Sequence, residues 1–251
     1  MNPSRGAALV TGSGRRIGRA LALALADAGF DIVAHHHQSH AEVQTLCMAV
    51  RDKGRRALVV EADLAQETEA LGLIGRSQAL GPLTVLINNA ALFEDDRIET
   101  MTLDLWRRHM AINLQAPILL SQGFAAALPP AMTGVIINIL DQRVLRPNPR
   151  FFSYGLSKSA LWAATQTLAQ GLAPRIRVNG VGPGPTLPSI HQSPGEFAAE
   201  AGAVPLHNSV KPEDIAAAAL YLIDAPSVTG QMIAVDGGQH LAWRTPDVIG
   251  P

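Results

Sequence analysis

A single cysteine, Cys47, among 251 residues leaves no partner for an internal disulfide and no second thiolate for zinc. A secreted disulfide framework and a thiolate metal site are both excluded, and Cys47 reads as a buried helix residue. Charge is scarce as well. Only 16% of the chain is Asp, Glu, Lys or Arg, against about 25% in an ordinary globular protein, so surface is expected to be hidden against copies of the same chain. The net charge is −1, and the clustered Lys/Arg surplus that nucleic acid or an anionic membrane requires is missing. No apolar run reaches the ~20 residues of a bilayer span, and Met1-Asn2-Pro3-Ser4-Arg5 leads directly into an apolar strand. A soluble, cytoplasmic protein is expected. At about 150 residues per domain, 251 residues fit one large α/β domain over 1–251.

Short apolar runs alternate with longer stretches of helical period, the pattern of βαβ units and a parallel sheet. Strands are expected at 7–11, 31–35, 57–61, 85–89, 134–139, 175–180 and 232–235, and helices at 17–28, 41–53, 103–127, 153–171 and 212–223. Seven strands suffice for a Rossmann-type doubly wound parallel sheet with helices on both faces. Residues 183–212 carry six prolines and little periodicity, and read as a substrate-binding loop.

Thr11-Gly12-Ser13-Gly14-Arg15-Arg16-Ile17-Gly18 follows the first strand and opens the first helix. Its glycines serve either a close backbone approach to a pyrophosphate at the helix N-terminus or packing alone. The spacing is G-x-G-x-x-x-G, not G-x-G-x-x-G. The second strand ends in Ala34-His35-His36-His37-Gln38-Ser39, without the carboxylate that holds an NAD ribose and repels a 2′-phosphate. Arg15, Arg16, Ser39 and the histidines are donors suited to phosphate, so NADP is expected over NAD. The histidine run does not read as a metal site, because adjacent strand residues face opposite ways.

Tyr154 and Lys158, four residues apart, share one helix face, with Ser153 as an expected cap. A nearby cation favours phenolate, so the phenol is expected to titrate below its usual value of about 10. Together with Gly12 to Gly18, Asp63, Asn88-Asn89-Ala90, Asn113, Pro183-Gly184 and Asp236-Gly237-Gly238, this pair resembles the short-chain dehydrogenase/reductase family over nearly the whole chain. The resemblance implies cofactor contacts by Gly12, Gly14, Arg15, Arg16 and Ile17 in the phosphate loop and by His37 and Ser39 beyond the second strand. It adds Asp63 and Leu64 near adenine, Asn89 and Ala90 at the adenosine ribose, Lys158 at the nicotinamide ribose, and Pro183, Gly184 and Thr186 near the carboxamide. Tyr154 becomes the proton donor and Asn113 the brace of a water relay. Family members are commonly tetramers, and the apolar width of the helix at Ala160, Leu161, Ala163, Ala164, Thr165 and Leu168 fits a homotetramer.

Two departures from the general family point further. Arg16 replaces a loop glycine, and Asp141 stands 13 residues before Tyr154, where the catalytic serine usually lies. Both resemble pteridine reductases, in which the arginine bridges cofactor and substrate. Phe93 occupies the position that stacks the pterin in that group, and Gln38 replaces an arginine of its 2′-phosphate segment. Independently of the resemblance, an ionised Asp141 repels the oxyanion of ketone reduction but suits protonation of a C=N nitrogen. Bland alternatives stand beside each residue: Phe93 closing a loop, Asp141 as a turn residue, Arg16 serving only phosphates. The expectation is an NADPH-dependent reductase of a dihydropterin or dihydrofolate, with Arg16, Phe93, Asp141 and Tyr154 meeting the small-molecule substrate. A carbonyl reductase and a non-catalytic dinucleotide sensor are the competing readings.

Overall fold

The computed structural model describes residues 4–188 and 192–243. Seven strands, β1 (Ala7–Val10), β2 (Asp31–His36), β3 (Ala57–Glu61), β4 (Leu83–Asn88), β5 (Gly134–Ile139), β6 (Ile176–Pro183) and β7 (Met232–Val235), form one sheet in the order β3-β2-β1-β4-β5-β6-β7. Every neighbouring pair is parallel. The chain runs outward from β1 to β3 and then returns to the other side of β1, so the order reverses between β1 and β4. In such sheets a crevice opens above the carboxyl ends of the strands at that reversal.

The strands are apolar on both sides because both faces are covered. Successive residues point to opposite faces. Ala8 and Val10 pack with Leu21, Leu46 and Leu222 from α1 (Arg16–Asp27), α2 (His40–Asp52) and α8 (Pro212–Asp224). Ala7 and Leu9 pack on the other face with Leu73, Phe124 and Ala169. Those three residues belong to α3 (Glu67–Ser77), α5 (Ala116–Ala127) and α6 (Phe152–Leu172). Cys47 is fully buried in α2, as its setting implied.

Three local expectations need correction. The helix expected over 103–127 is α4 (Leu103–Met110) and α5 joined by a π turn at Ala111–Gln115. A single extra residue in the ladder is invisible to an apolar period, and such turns gather at functional sites. The loop expected over 183–212 contains α7 (Pro194–Ala203), started by Pro194 and by a capping box between Ser193 and Glu196. Residues 189–191 of that loop lie outside the described residues. Finally, Ser153 is not the cap of α6. Phe151 holds that place in a left-handed conformation, and the buried Ser153 side chain turns inward.

Candidate active site

The phosphate loop is fixed from below. Gly12 has φ +62°, and a Cβ there would lie 3.1 Å from the Ala90 Cα. A Cβ on Gly18 would lie 2.1 Å from the Gly12 carbonyl oxygen, so only glycine lets α1 start so close to the loop. Thr11 Oγ1 accepts from the backbone N–H groups of Asn89 (2.9 Å) and Ala90 (3.0 Å), while Asn89 Nδ2 donates to the Thr11 carbonyl (2.8 Å). Asn89 therefore ties the loop to the end of β4. His35, absent from the sequence-based site, is the other anchor: Gly12 N–H donates to its Nδ1 (3.1 Å) and its Nε2 lies 3.1 Å from the Ala62 carbonyl. Those partners fix a neutral ring with the proton on Nε2. Burial pushes its pKa down from 6.5 to about 4.

The two loop arginines diverge. Arg15 pairs with Glu42 of α2 at the surface, close to His37 and Ser39 on the cleft wall. Arg16, at φ +51°, donates to the carbonyls of Leu187 (2.9 Å) and Pro188 (2.7 Å), so it fastens the substrate loop to the phosphate loop. Ser39 is the N-cap residue of α2 without a side-chain cap bond, and His37 is exposed. His36, just before them, is buried, packs edge-on against His40 and makes no hydrogen bond through either ring nitrogen among the described residues.

At the carboxyl end of β5, Tyr154 OH donates to Asp141 Oδ2 (2.9 Å). The same oxygen accepts from Arg143 Nη1 (3.2 Å), and Asp141 Oδ1 accepts from Arg143 N–H (2.8 Å). Lys158 Nζ donates to the Ile139 carbonyl (2.7 Å), and burial lowers its pKa to about 8. The expected direction for Tyr154 is overturned. Complete burial, followed by the negative charge of Asp141, holds its pKa well above 10, and Arg143 opposes this only in part. The cation that matters to the phenol is outweighed by the carboxylate it touches.

Asn113 lies behind the cleft wall, on the π turn. It accepts from Leu92 N–H (2.8 Å) and donates to the Leu92 carbonyl (3.0 Å) and Ser157 Oγ (3.1 Å), which fixes the residue before Phe93. Phe93 stacks on Phe151 (centroids 4.3 Å apart, planes at 9°) and meets Tyr154 edge-on at 4.7 Å. A buried chain of donors holds these pieces together. Glu94 N–H donates to His109 Nε2 (3.4 Å), His109 Nδ1 lies 2.6 Å from Ser153 Oγ, and Ser153 donates through Oγ and N–H to the Asp96 carboxylate. Asp96 thus caps α6 from 57 residues away, in the place expected of Ser153.

One cleft of about 1260 Å³ joins these parts, more than the 300–1,000 Å³ usual for a single small ligand. Its walls include Gly12, Arg15, Arg16, Ile17, His37, Ser39, Asp63, Leu64, Asn89 and Ala90 at one end. Phe93, Asp141, Tyr154, Lys158, Pro183, Gly184 and Thr186 line the other. Asp63 and Thr186 are also engaged locally, with Asp63 Oδ1 accepting from Ala65 N–H and Thr186 Oγ1 donating to the Gly184 carbonyl. Of the expected site residues only Gly14, packed on Ser39, and Asn113 stand outside this lining.

A family model described as Enoyl-(Acyl carrier protein) reductase matches residues 12–240. The chain belongs to the short-chain dehydrogenase/reductase family. The crystal structure of FolM alternative dihydrofolate reductase 1 from Brucella suis, in complex with NADP, is 45% identical and has a TM-score of 0.94, covering 97% of this chain and 98% of that one. Sequence relatives include a short-chain type dehydrogenase/reductase of Picea abies, 32% identical over 92% of this chain and 91% of its own. A 3-oxoacyl-[acyl-carrier-protein] reductase of Synechocystis is 31% identical over 92% of this chain and 95% of its own. Short-chain dehydrogenase/reductase membership accounts for the order of motifs from Gly12 to Asp236, and the FolM neighbour agrees with the pteridine reductase-like resemblance. No helix among the described residues is long and apolar enough to cross a membrane.

Proposed function

We propose that this chain is an NADPH-dependent reductase of a C=N bond in a pterin-like substrate, a dihydropterin or dihydrofolate. The observation that carries the proposal is the Asp141 carboxylate, which accepts the Tyr154 hydroxyl where a ketone reductase of the family has serine. The loop suits a dinucleotide: no side chain caps α1, so its first-turn N–H groups are left for a pyrophosphate, and Gly12 keeps side-chain bulk out of the way. Arg15, His37 and Ser39 would meet the 2′-phosphate, and Lys158 and Thr186 the nicotinamide half. When bound, NADPH supplies a hydride to carbon.

The protein's own task is then the proton. Held above 10 by complete burial and then by the charge of Asp141, the Tyr154 phenol is a weaker acid than a free tyrosine. A protonated Asp141 is a better donor to nitrogen, and its carboxylate is received by the Tyr154 hydroxyl and Arg143 as the structure shows them. Phe93 offers a flat apolar wall beside this pair, worth about 0.5–1.5 kcal/mol to a stacked ring beyond burial. Arg16 holds the substrate loop over the same space.

The Synechocystis and other ketoacyl reductase relatives favour a second reading, reduction of a ketone with a protonated Asp141 standing in for serine. An Asp141→Ser variant separates the two. On the first reading it loses dihydropterin turnover by about 10²-fold or more, the scale of a lost general acid. Unchanged dihydropterin turnover together with raised ketone turnover supports the second. Exposed Leu103, Ile118 and Leu156 on α4, α5 and α6 supply apolar surface for a homotetramer. Light scattering at the 26.5 kDa monomer mass would reject that assembly.

A further inference from the structure

Arg143 belongs to no motif that pointed to the site, yet it touches both halves of the substrate end. Its guanidinium pairs with Asp141 in a nearly closed setting, where the two side chains are 18% and 13% exposed. Its Cζ also lies 5.0 Å from the Phe151 ring centre and 5.5 Å from that of Phe93. A flat cation over two stacked rings, one of which meets the phenol edge-on, links the proton donor to the aromatic wall. The short 3-10 turn Gln142–Val144 holds this arrangement. Asp141 is its N-cap residue and accepts the Arg143 N–H, so backbone and guanidinium of one residue grip both carboxylate oxygens. The Nε of Arg143 is buried without a hydrogen-bond partner among the described residues, so charge and stacking, not a full set of hydrogen bonds, keep the side chain there.

We propose that Arg143 is a positioning residue with two separable roles: its charge sets the proton affinity of the Asp141–Tyr154 pair, and its plane holds the Phe93–Phe151 wall against which the substrate ring lies. The inference rests on the pterin-reductase reading of the same site. Burial and then Asp141 raise the Tyr154 pKa and Arg143, seated on the same carboxylate, lowers it, which gives the charge role its direction. Arg150 also lies over Phe151, its Cζ 5.5 Å from the ring centre, but its guanidinium pairs with Asp95 and not with Asp141. Lys158 on α6 faces Asp141 and donates to Ile139, and His109 on α4 stands 6.1 Å from the Tyr154 ring within its own hydrogen-bonded chain. Beyond β7, His240 is held by Asp236, and Arg146 donates to the Gln239 carbonyl. None of these bridges the carboxylate and the rings as Arg143 does.

Two variants separate charge from shape. Arg143→Gln keeps a planar group and removes the charge; Arg143→Lys keeps the charge and removes the plane. Measure kcat and KM for NADPH oxidation with dihydrobiopterin from pH 5 to 9, with NADPH affinity and melting temperature on the same samples. The Gln variant should move the alkaline limb of kcat/KM, which follows the first proton lost from the pair and lies below the ionisation of the phenol itself, to higher pH by about one to three units, the effect of losing an opposite charge at this range. The Lys variant should keep that limb in place while KM for dihydrobiopterin rises roughly three- to thirtyfold. NADPH affinity should change in neither. A limb that does not move in Arg143→Gln, or equal losses in both variants accompanied by a lowered melting temperature, overturns the proposal. Asp141→Asn is the control for the underlying reading: full activity with an unchanged pH profile would show that the donor pair itself was misassigned, whatever Arg143 does.

Discussion

His35 offers a test in which geometry, electrostatics and cofactor binding must move together. The ring is 2% exposed, neutral, and held at both nitrogens, with a pKa of about 4 against 6.5 for a free histidine. A histidine kept neutral by folding contributes stability that is fully present above the unfolded value and is lost as pH falls through the window between 6.5 and about 4. At about 1.4 kcal/mol per pH unit, that gap is on the order of 3 kcal/mol. Protonation also puts a hydrogen on Nδ1, where the Gly12 N–H now donates, so the phosphate loop must release. Urea unfolding of the native chain and of His35→Gln, each from pH 7.5 down to pH 4, isolates this group from the carboxylates that titrate in both. The native chain should lose about 2–3 kcal/mol more than the variant across that range, and its NADPH affinity should fall in the same window. Parallel stability curves for the two proteins would refute the argument.

Further outcomes follow from single contacts. Gly18→Ala places a methyl group against the Gly12 carbonyl and should cost about 1–3 kcal/mol of stability and weaken NADPH binding in fluorescence titration; unchanged affinity would contradict the packing account. Asp96→Ala removes the acceptors of the buried Ser153 N–H and of its hydroxyl proton while His109 still holds the hydroxyl oxygen, for about 1–3 kcal/mol, and should lower kcat with little change in NADPH affinity, read by steady-state kinetics. Cofactor titration should give tighter binding of NADP than of NAD, since no carboxylate ends β2; the reverse order would remove the phosphate assignment to Arg15, His37 and Ser39.

The sheet was legible because its strands are short apolar runs with sharp ends. β3, β5 and β7 fall on the residues expected, and β6 runs on to Pro183 because the buried backbone keeps pairing with β7. Tyr154 and Lys158 were legible from their spacing and Asp141 from the family resemblance, and the structure brings all three to one cleft. What was not legible depends on contacts between distant segments. Asp96 reaches the start of α6, His35 turns under Gly12, and Arg143 folds back on Asp141 and two phenylalanines. The sign of the Tyr154 shift failed for the same reason, since sequence spacing shows the lysine on its helix but neither the complete burial of the phenol nor the carboxylate at 2.9 Å. Only α7 left a local signal, in Ser193-Pro194-Gly195-Glu196, that a proline-rich composition obscured.

The central claim is the pairing of Asp141 with a C=N substrate, and its most direct test is NADPH oxidation by the unmodified protein with dihydrobiopterin, dihydrofolate and a simple 3-ketoacyl substrate side by side. Turnover is expected with at least one of the two reduced pterins, at a kcat/KM well above that for the ketone. Rapid turnover of the ketone with none of either pterin would contradict it.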